Sequence, residues 1–299
     1  MTRRGSAVSQ NRDELVREER GGGGLPLLRI HNAYADCDIY RHGAHVSSFV
    51  PRGGRDLLWL SPYSRFEEGM PIRGGIPLIF PWFSEHRTRK DLQLHGFVRT
   101  RVWNFERAER LADGSTRVSL STEDDEATRA IWPQRFGLTL DVTVGSELRL
   151  ELSLRNLSKR DFSCESGFHT YCAVGNAQQC QIVDFDGIDY IDRAHGDARA
   201  VQRGPVCFGA ETIQAYMRVP ERCELDDMLL GRRIRVRQEG LGSVVLWNPG
   251  RTRAEANDEI RDSWQRFVCI ESTNCLERAI TVPARSVWKS AMSLSVGKD

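Results

Sequence analysis

Two stretches of strict alternation, Leu138-Thr139-Leu140-Asp141-Val142-Thr143-Val144 and Leu148-Arg149-Leu150-Glu151-Leu152-Ser153-Leu154, stand on either side of Gly145-Ser146. Every second side chain is apolar and the others are polar, which is the period of a strand with one wet face and not of a helix. Two such runs around a short turn predict an antiparallel hairpin. A hairpin with one apolar face must be covered by another layer, and where helices are scarce a second sheet is the economical cover.

The rest of the chain obeys the same punctuation. From Leu25 onward, short runs rich in Val, Ile, Leu and aromatics are broken every several residues by Gly, Asp, Asn or Pro. Ile39 to Val50 reads as two strands near His42-Gly43, and Leu57-Leu58-Trp59-Leu60 as a buried apolar strand beyond a turn at Pro51-Arg52-Gly53-Gly54. Further strands are expected near Val118 to Ser121, Phe162 to Cys172, Gln181 to Phe185, Ile213 to Val219, Ile234 to Gln238, Ser243 to Trp247, Phe267 to Glu271 and Val287 to Val296. Helix is expected only around Asp125 to Ile131 and Ala254 to Trp264, where helix formers cluster. The predicted class is all-β, one large antiparallel β-sandwich over residues 25–299. Residues 1–24 mix alternating charge with small residues and end in four glycines. They read as a disordered tail, with room for a short helix over Glu14 to Arg20.

Charge and cysteine usage narrow the function classes. The formal net charge of the 299 residues is +1, so no broad positive field directs the chain to nucleic acid or an anionic membrane. No apolar run approaches a membrane span, and the N-terminal stretch lacks the apolar core of a secretory signal, so a cytoplasmic protein is expected. The eight cysteines (Cys37, Cys164, Cys172, Cys180, Cys207, Cys223, Cys269 and Cys275) contain no C-x-x-C pair and read as buried thiols, not as disulfides or a metal site.

Met70 to Trp103 is the most irregular segment. Gly74, Gly75, Pro77 and Pro81 set turns while Ile76, Leu78, Ile79, Phe80, Trp82 and Phe83 demand burial. A stiff backbone beside the core would hold Arg73, His95 and Arg99 in fixed directions, as an anionic or polyhydroxylated ligand requires. Surface arginines on a glycine-proline loop are the plain alternative. Two further oddities sit in strands. His169 lies in the apolar run Phe168-His169-Thr170-Tyr171, and Glu271 follows Val268-Cys269-Ile270. An inward glutamate stays ionised only among cations or donors, so the two could form an acid-base pair. A hydrogen-bonded core histidine and an exposed strand-end glutamate are the alternatives. Asp192, after Gly187-Ile188-Asp189-Tyr190-Ile191, could bind a sugar hydroxyl or simply cap a turn.

These pieces stand in one order over nearly the whole ordered chain. They are Gly43-Ala44-His45-Val46 with Leu57 to Ser61, Ile72-Arg73-Gly74-Gly75-Ile76-Pro77-Leu78 with Phe80-Pro81, and His95-Gly96-Phe97-Val98-Arg99 with Trp103. Then come Phe168 to Tyr171, Gly187 with Tyr190 and Asp192, Val245-Leu246-Trp247-Asn248-Pro249, and Val268 to Glu271. In this order they resemble the glucose-6-phosphate 1-epimerases, the hexose-6-phosphate mutarotase branch of the aldose 1-epimerase family. R-G-G-I-P with H-G-F-x-R separates this branch from the galactose mutarotases. The resemblance implies a galactose-mutarotase-like β-supersandwich in which His169 and Glu271 interconvert α and β anomers of a hexose 6-phosphate. It further implies that Arg73 and Arg99 hold the phosphate and that His95 and Asp192 bind sugar oxygens. Val98 before the arginine, Ser272-Thr273-Asn274 after the glutamate and Pro249-Gly250-Arg251 depart from the branch pattern, which bears on substrate preference more than on chemistry.

Mutarotation needs a base for the anomeric hydroxyl proton and an acid for the ring oxygen, with the roles reversed on reclosure. It requires no cofactor, no metal and no covalent intermediate, and Gly74-Gly75 lacks the lysine and hydroxyl residue of a P-loop. The expected partner is a small-molecule sugar phosphate met by a monomer. A mutarotase for free aldoses and a catalytically silent sugar-binding protein are the alternatives, because fold does not separate them. Retention of His169 and Glu271 argues against the silent module, and the two arginines favour a phosphorylated ligand.

Overall fold

The computed structural model describes residues 15–220 and 223–297. Antiparallel sheets dominate it. The largest has nine strands, in spatial order Val206–Cys207, Cys180–Ile182, Cys223–Asp227, Arg232–Glu239, Val287–Gly297, Leu148–Asn156, Phe136–Val144, Thr116–Glu123 and Asn104–Arg110. The alternating runs form its central hairpin, with Val144 opposite Leu148 and Phe136 opposite Asn156. Their apolar positions are buried and their polar ones half-exposed, as the period of two demands.

The second sheet carries seven strands in the order Ala198–Val201, Asp189–Asp192, Thr212–Tyr216, Ser243–Asn248, Phe267–Asn274, Ser166–Ala173 and Leu78–Ile79. Its central strands follow a parity that decides the rest of the molecule. Phe168, Cys172, Val244, Leu246, Val268 and Ile270 join Leu120, Leu140 and Leu152 of the nine-stranded sheet in one continuous core. Their odd-numbered neighbours point the other way. Tyr171 and Cys269 pack with Trp59, Trp264 and Phe267, and Val245 packs with Ile79, Phe83 and Ala215. Both faces of these strands are covered, which is why Phe267–Asn274 is buried at every position, its polar second half Glu271 to Asn274 included.

The N-terminal boundary falls earlier than the composition predicts. Val16–Arg20 is a strand, not tail or helix, and pairs antiparallel with Pro26–His31 at the edge of a four-stranded sheet. Leu15 and Val16 supply its buried anchor, and Arg29 bridges to Glu19 at 2.7 Å. The four glycines of the expected tail are also ordered, with a 3-10 turn at Gly22–Gly24, while residues 1–14 lie outside the described residues. Leu57 to Leu60 is also corrected. It makes only isolated bridges, Leu58 to Cys172 and Leu60 to Gly74, because its backbone N–H groups turn to different segments, Leu57 to Phe49, Trp59 to Tyr171 and Ser61 to Arg73. The expected helices are short. Glu126–Ile131 is closed by a capping box between Asp125 and Thr128, and the second breaks into Gly250–Glu255 and a 3-10 turn at Arg261–Arg266. Cys207 is exposed, unlike the other seven cysteines, since it lies on a two-residue edge strand. No helix among the described residues is long and apolar enough to cross a membrane.

Candidate active site

His169 and Glu271 are directly opposite each other on neighbouring strands, so the ladder itself brings the imidazole and the carboxylate together on the face turned away from the main core. The Nε2 of His169 lies 3.4 Å from Oε1 of Glu271, and the side chains are only 7% and 3% exposed. Aromatic rings fix the imidazole from three sides. Tyr171 stacks on it at 4.7 Å, while Trp247 and His95 meet it edge-on at 5.8 and 5.3 Å. The Nδ1 of His169 and Oε2 of Glu271 are buried without a protein partner, leaving capacity for a ligand.

The pair opens into a cavity of about 580 Å³, also lined by Arg73, His95 and Arg99. The Met70 to Trp103 segment holds these three by close backbone approaches. At Gly96, with φ of +77°, a Cβ would stand 1.8 Å from the carbonyl oxygen of Phe80. At Gly75, with φ of +60°, it would stand 2.4 Å from the carbonyl oxygen of Val46. Only glycine fits either position.

The two arginines differ in their surroundings. Arg73 donates to the Tyr171 hydroxyl at 3.2 Å and pairs with Glu259 at 3.1 Å. Burial opposes its charge, but Tyr171 and Glu259 outweigh burial and hold it fully protonated. Arg99 is 8% exposed, its Nε is buried without a partner, and burial with the neighbouring Arg73 charge brings its pKa down to about 10. It remains a cation at neutral pH and is the guanidinium of the two that lacks a carboxylate at ion-pair distance.

Burial and the cations together set the protonation of the pair. Desolvation, then Arg99 and Arg73, hold the His169 pKa well below its usual value. Desolvation pushes Glu271 up to about 8, partly opposed by Arg99 and Arg193. Near neutral pH the pair therefore carries its shared proton on the carboxyl beside a neutral imidazole. His95 is also neutral, suppressed by burial and by Arg99. Its Nδ1 accepts the Ser84 backbone N–H at 3.1 Å, so the ring proton sits on Nε2.

Asp192 is not among the residues lining the cavity. Its carboxylate accepts from the Ala194 N–H at 3.1 Å and meets the His195 ring at 3.0 Å, closing a turn. The next residue, Arg193, faces the cavity instead. Glu165 and Arg193 on the wall, and Glu259 behind Arg73, are charged participants that the sequence reading missed, as are Glu85, Arg87, Lys90 and Arg253 around the cavity. They lie in ordinary charged or turn-rich surroundings, and no motif or period singles them out.

The family model for aldose 1-epimerase matches residues 26–295. A protein of Escherichia coli (strain K12), provisionally named glucose-6-phosphate 1-epimerase, is 30% identical over 85% of this chain and 84% of its own length. A protein of Cenchrus ciliaris with the same provisional name is 29% identical over 94% of this chain and 87% of its own. Among solved structures, a provisionally named mutarotase from Salmonella typhimurium superimposes with a TM-score of 0.88 at 25% identity, covering 98% of this chain and 97% of that one. A galactose mutarotase related enzyme from Lactobacillus acidophilus shares the fold, with a TM-score of 0.73 at 14% identity over 91% of this chain and 97% of its own.

Proposed function

Since the chain belongs to the aldose 1-epimerase family, we propose that it interconverts the α and β anomers of a hexose 6-phosphate, glucose 6-phosphate first among them. The observation that carries this reading is the buried His169–Glu271 pair opening into the same cavity as Arg99, a buried cation with no carboxylate of its own. A neutral sugar gives such a cation nothing to neutralise, whereas a phosphate monoester supplies charge and oxygens in the geometry a guanidinium prefers.

The chemistry needs one proton shared between two groups. With the proton on Glu271 and His169 neutral, or shifted across the 3.4 Å contact, one group takes the anomeric hydroxyl proton as the other protonates the ring oxygen. The C1–O5 bond breaks to the open-chain aldehyde. Rotation about C1–C2 presents the other carbonyl face, and the reverse transfers close the ring and restore the pair. Both groups return to their starting state, so no net proton or electron is consumed. His95, held neutral with its proton on Nε2, is a fixed donor for a sugar oxygen. Arg99 reads the phosphate first. Arg73 assists from the Glu259 ion pair, which spends part of its charge.

The test compares two substrates. Arg99→Ala should raise KM for glucose 6-phosphate by roughly tenfold to a hundredfold, the size of a lost charge-assisted contact. Residual turnover of unphosphorylated glucose should hardly change, and Arg73→Ala should cost less than Arg99→Ala. Equal losses on both substrates would make the arginines scaffolding and favour a free-aldose mutarotase.

A further inference from the structure

The cavity wall contains another buried carboxylate that the proposed proton transfers do not use. Glu165 sits between the strands Phe162–Cys164 and Ser166–Ala173, is 8% exposed, and lines the cavity. Each of its oxygens is taken by a backbone N–H from a different segment. The Phe83 N–H donates to Oε2 at 2.8 Å and the Leu276 N–H donates to Oε1 at 2.6 Å. The Glu165 N–H in turn donates to the Pro81 carbonyl at 2.9 Å.

Both segments that it grips are conformationally costly. Ser84, which follows Phe83, has φ of +59°, Leu276 has +54° and His95 has +62°. All three are non-glycine residues in the left-handed region, and all three line this cavity. Such backbone persists only where its surroundings hold it. Ser84 and His95 are themselves joined twice: the Ser84 N–H donates to His95 Nδ1 at 3.1 Å, and the His95 N–H donates to the Ser84 carbonyl at 2.8 Å. The held carboxylate, the Phe83-Ser84 backbone and the His95 ring thus form one continuous chain ending 5.3 Å from the His169 ring.

We infer that Glu165 is a positioning residue. It clasps Phe83-Ser84 and Leu276 so that the Ser84 N–H keeps His95 in the tautomer whose Nε2–H faces the sugar. A carboxylate suits this task because both of its atoms accept. A glutamine of the same shape offers one acceptor and turns an NH2 group against the other backbone N–H, which is then buried without a partner. The inference rests on reading the cavity as a hexose-phosphate site.

Glu165→Gln, His95→Ala and the double variant, assayed on glucose 6-phosphate, test it. Each single change should lower kcat/KM by roughly tenfold, the scale of one lost buried hydrogen bond, and the double should be no more than about twofold worse than the weaker single. Inhibition of Glu165→Gln by inorganic phosphate should match the wild type, because the Arg99 end is untouched. Losses that multiply in the double variant, or a parallel loss of phosphate inhibition, would overturn the clasp. Should Glu165→Gln fail to fold, histidine 15N spectra of the wild type and of Glu165→Asp, whose shorter arm loosens the clasp, decide the matter without turnover. Wild-type His95 should be a neutral Nε2–H ring between pH 6 and 8 and the variant's a mixture of tautomers; an Nδ1–H ring in the wild type, or identical spectra for the two proteins, would overturn the inference. A wild type without anomerase activity would sink the functional reading and leave this spectroscopic test standing.

Discussion

At Glu271 and His169, burial drives two pKa values apart in opposite directions, and the consequences are separable by pH. The carboxyl is raised to about 8, so the active one-proton form of the free enzyme is lost as pH climbs through that value. The kcat/KM profile should therefore fall on an alkaline limb near 8. That limb is the informative one, since a substrate phosphate titrates near about 6. Arg99 stabilises the Glu271 anion, so Arg99→Ala should move the limb to higher pH, and a limb that stays put or moves down would contradict the electrostatics. Stability carries the same signature. A carboxyl whose folded pKa lies above its unfolded value contributes stability below the unfolded value and loses it as pH rises through the folded one, here from about 4.5 to about 8. Glu271→Gln removes the titration, so relative to wild type it should gain stability between pH 5 and pH 8, by an amount on the order of a few kcal/mol. Denaturant melts of both proteins at the two pH values measure it, and a difference independent of pH would show that Glu271 is not buried as described.

At the scale of elements, the site depends on backbone approaches as much as on side chains. Gly96 lets the His95 to Arg99 segment lie against Phe80. Gly96→Ala should cost well over about 1 kcal/mol in stability from the left-handed φ alone, before the clash is counted. Its phosphate inhibition should weaken with it, as Arg99 is displaced; an unperturbed melt and unchanged inhibition would show that the close approach is not needed. The alternating strands were legible from sequence because one side of each is wet, and the expected hairpin forms around Gly145-Ser146, with Val144 opposite Leu148. The strands bearing His169 and Glu271 were legible as strands, and His169, Glu271, Arg73, His95 and Arg99 were picked out as candidates that the fold gathers into one cavity. What stayed hidden depends on three-dimensional partners. Nothing local tells that Val16 pairs with Ile30, because the strand is mostly charged and its anchor is a neighbour in space. Nor does spacing reveal that Asp192 closes its own turn while Arg193 turns inward, since a single residue of register separates the two outcomes.

On the scale of the whole molecule, two large sheets enclose one core, and the outer face of the smaller one carries the chemistry. The main core thereby remains apolar while the titratable groups sit behind it, walled by the aromatic cluster of Trp59, Tyr171, Trp264 and Phe267. That division lets substitutions at the pair change chemistry without emptying the core. The most direct test is two-dimensional exchange NMR on equilibrated glucose 6-phosphate, reading the α-to-β interconversion rate with catalytic amounts of protein. Wild type should accelerate exchange well above the spontaneous rate, while His169→Ala and Glu271→Gln, each shown to be folded by its melt, should lose on the order of a hundredfold or more. Exchange by folded His169→Ala or Glu271→Gln at close to the wild-type rate would contradict the assignment of this pair as the acid and base.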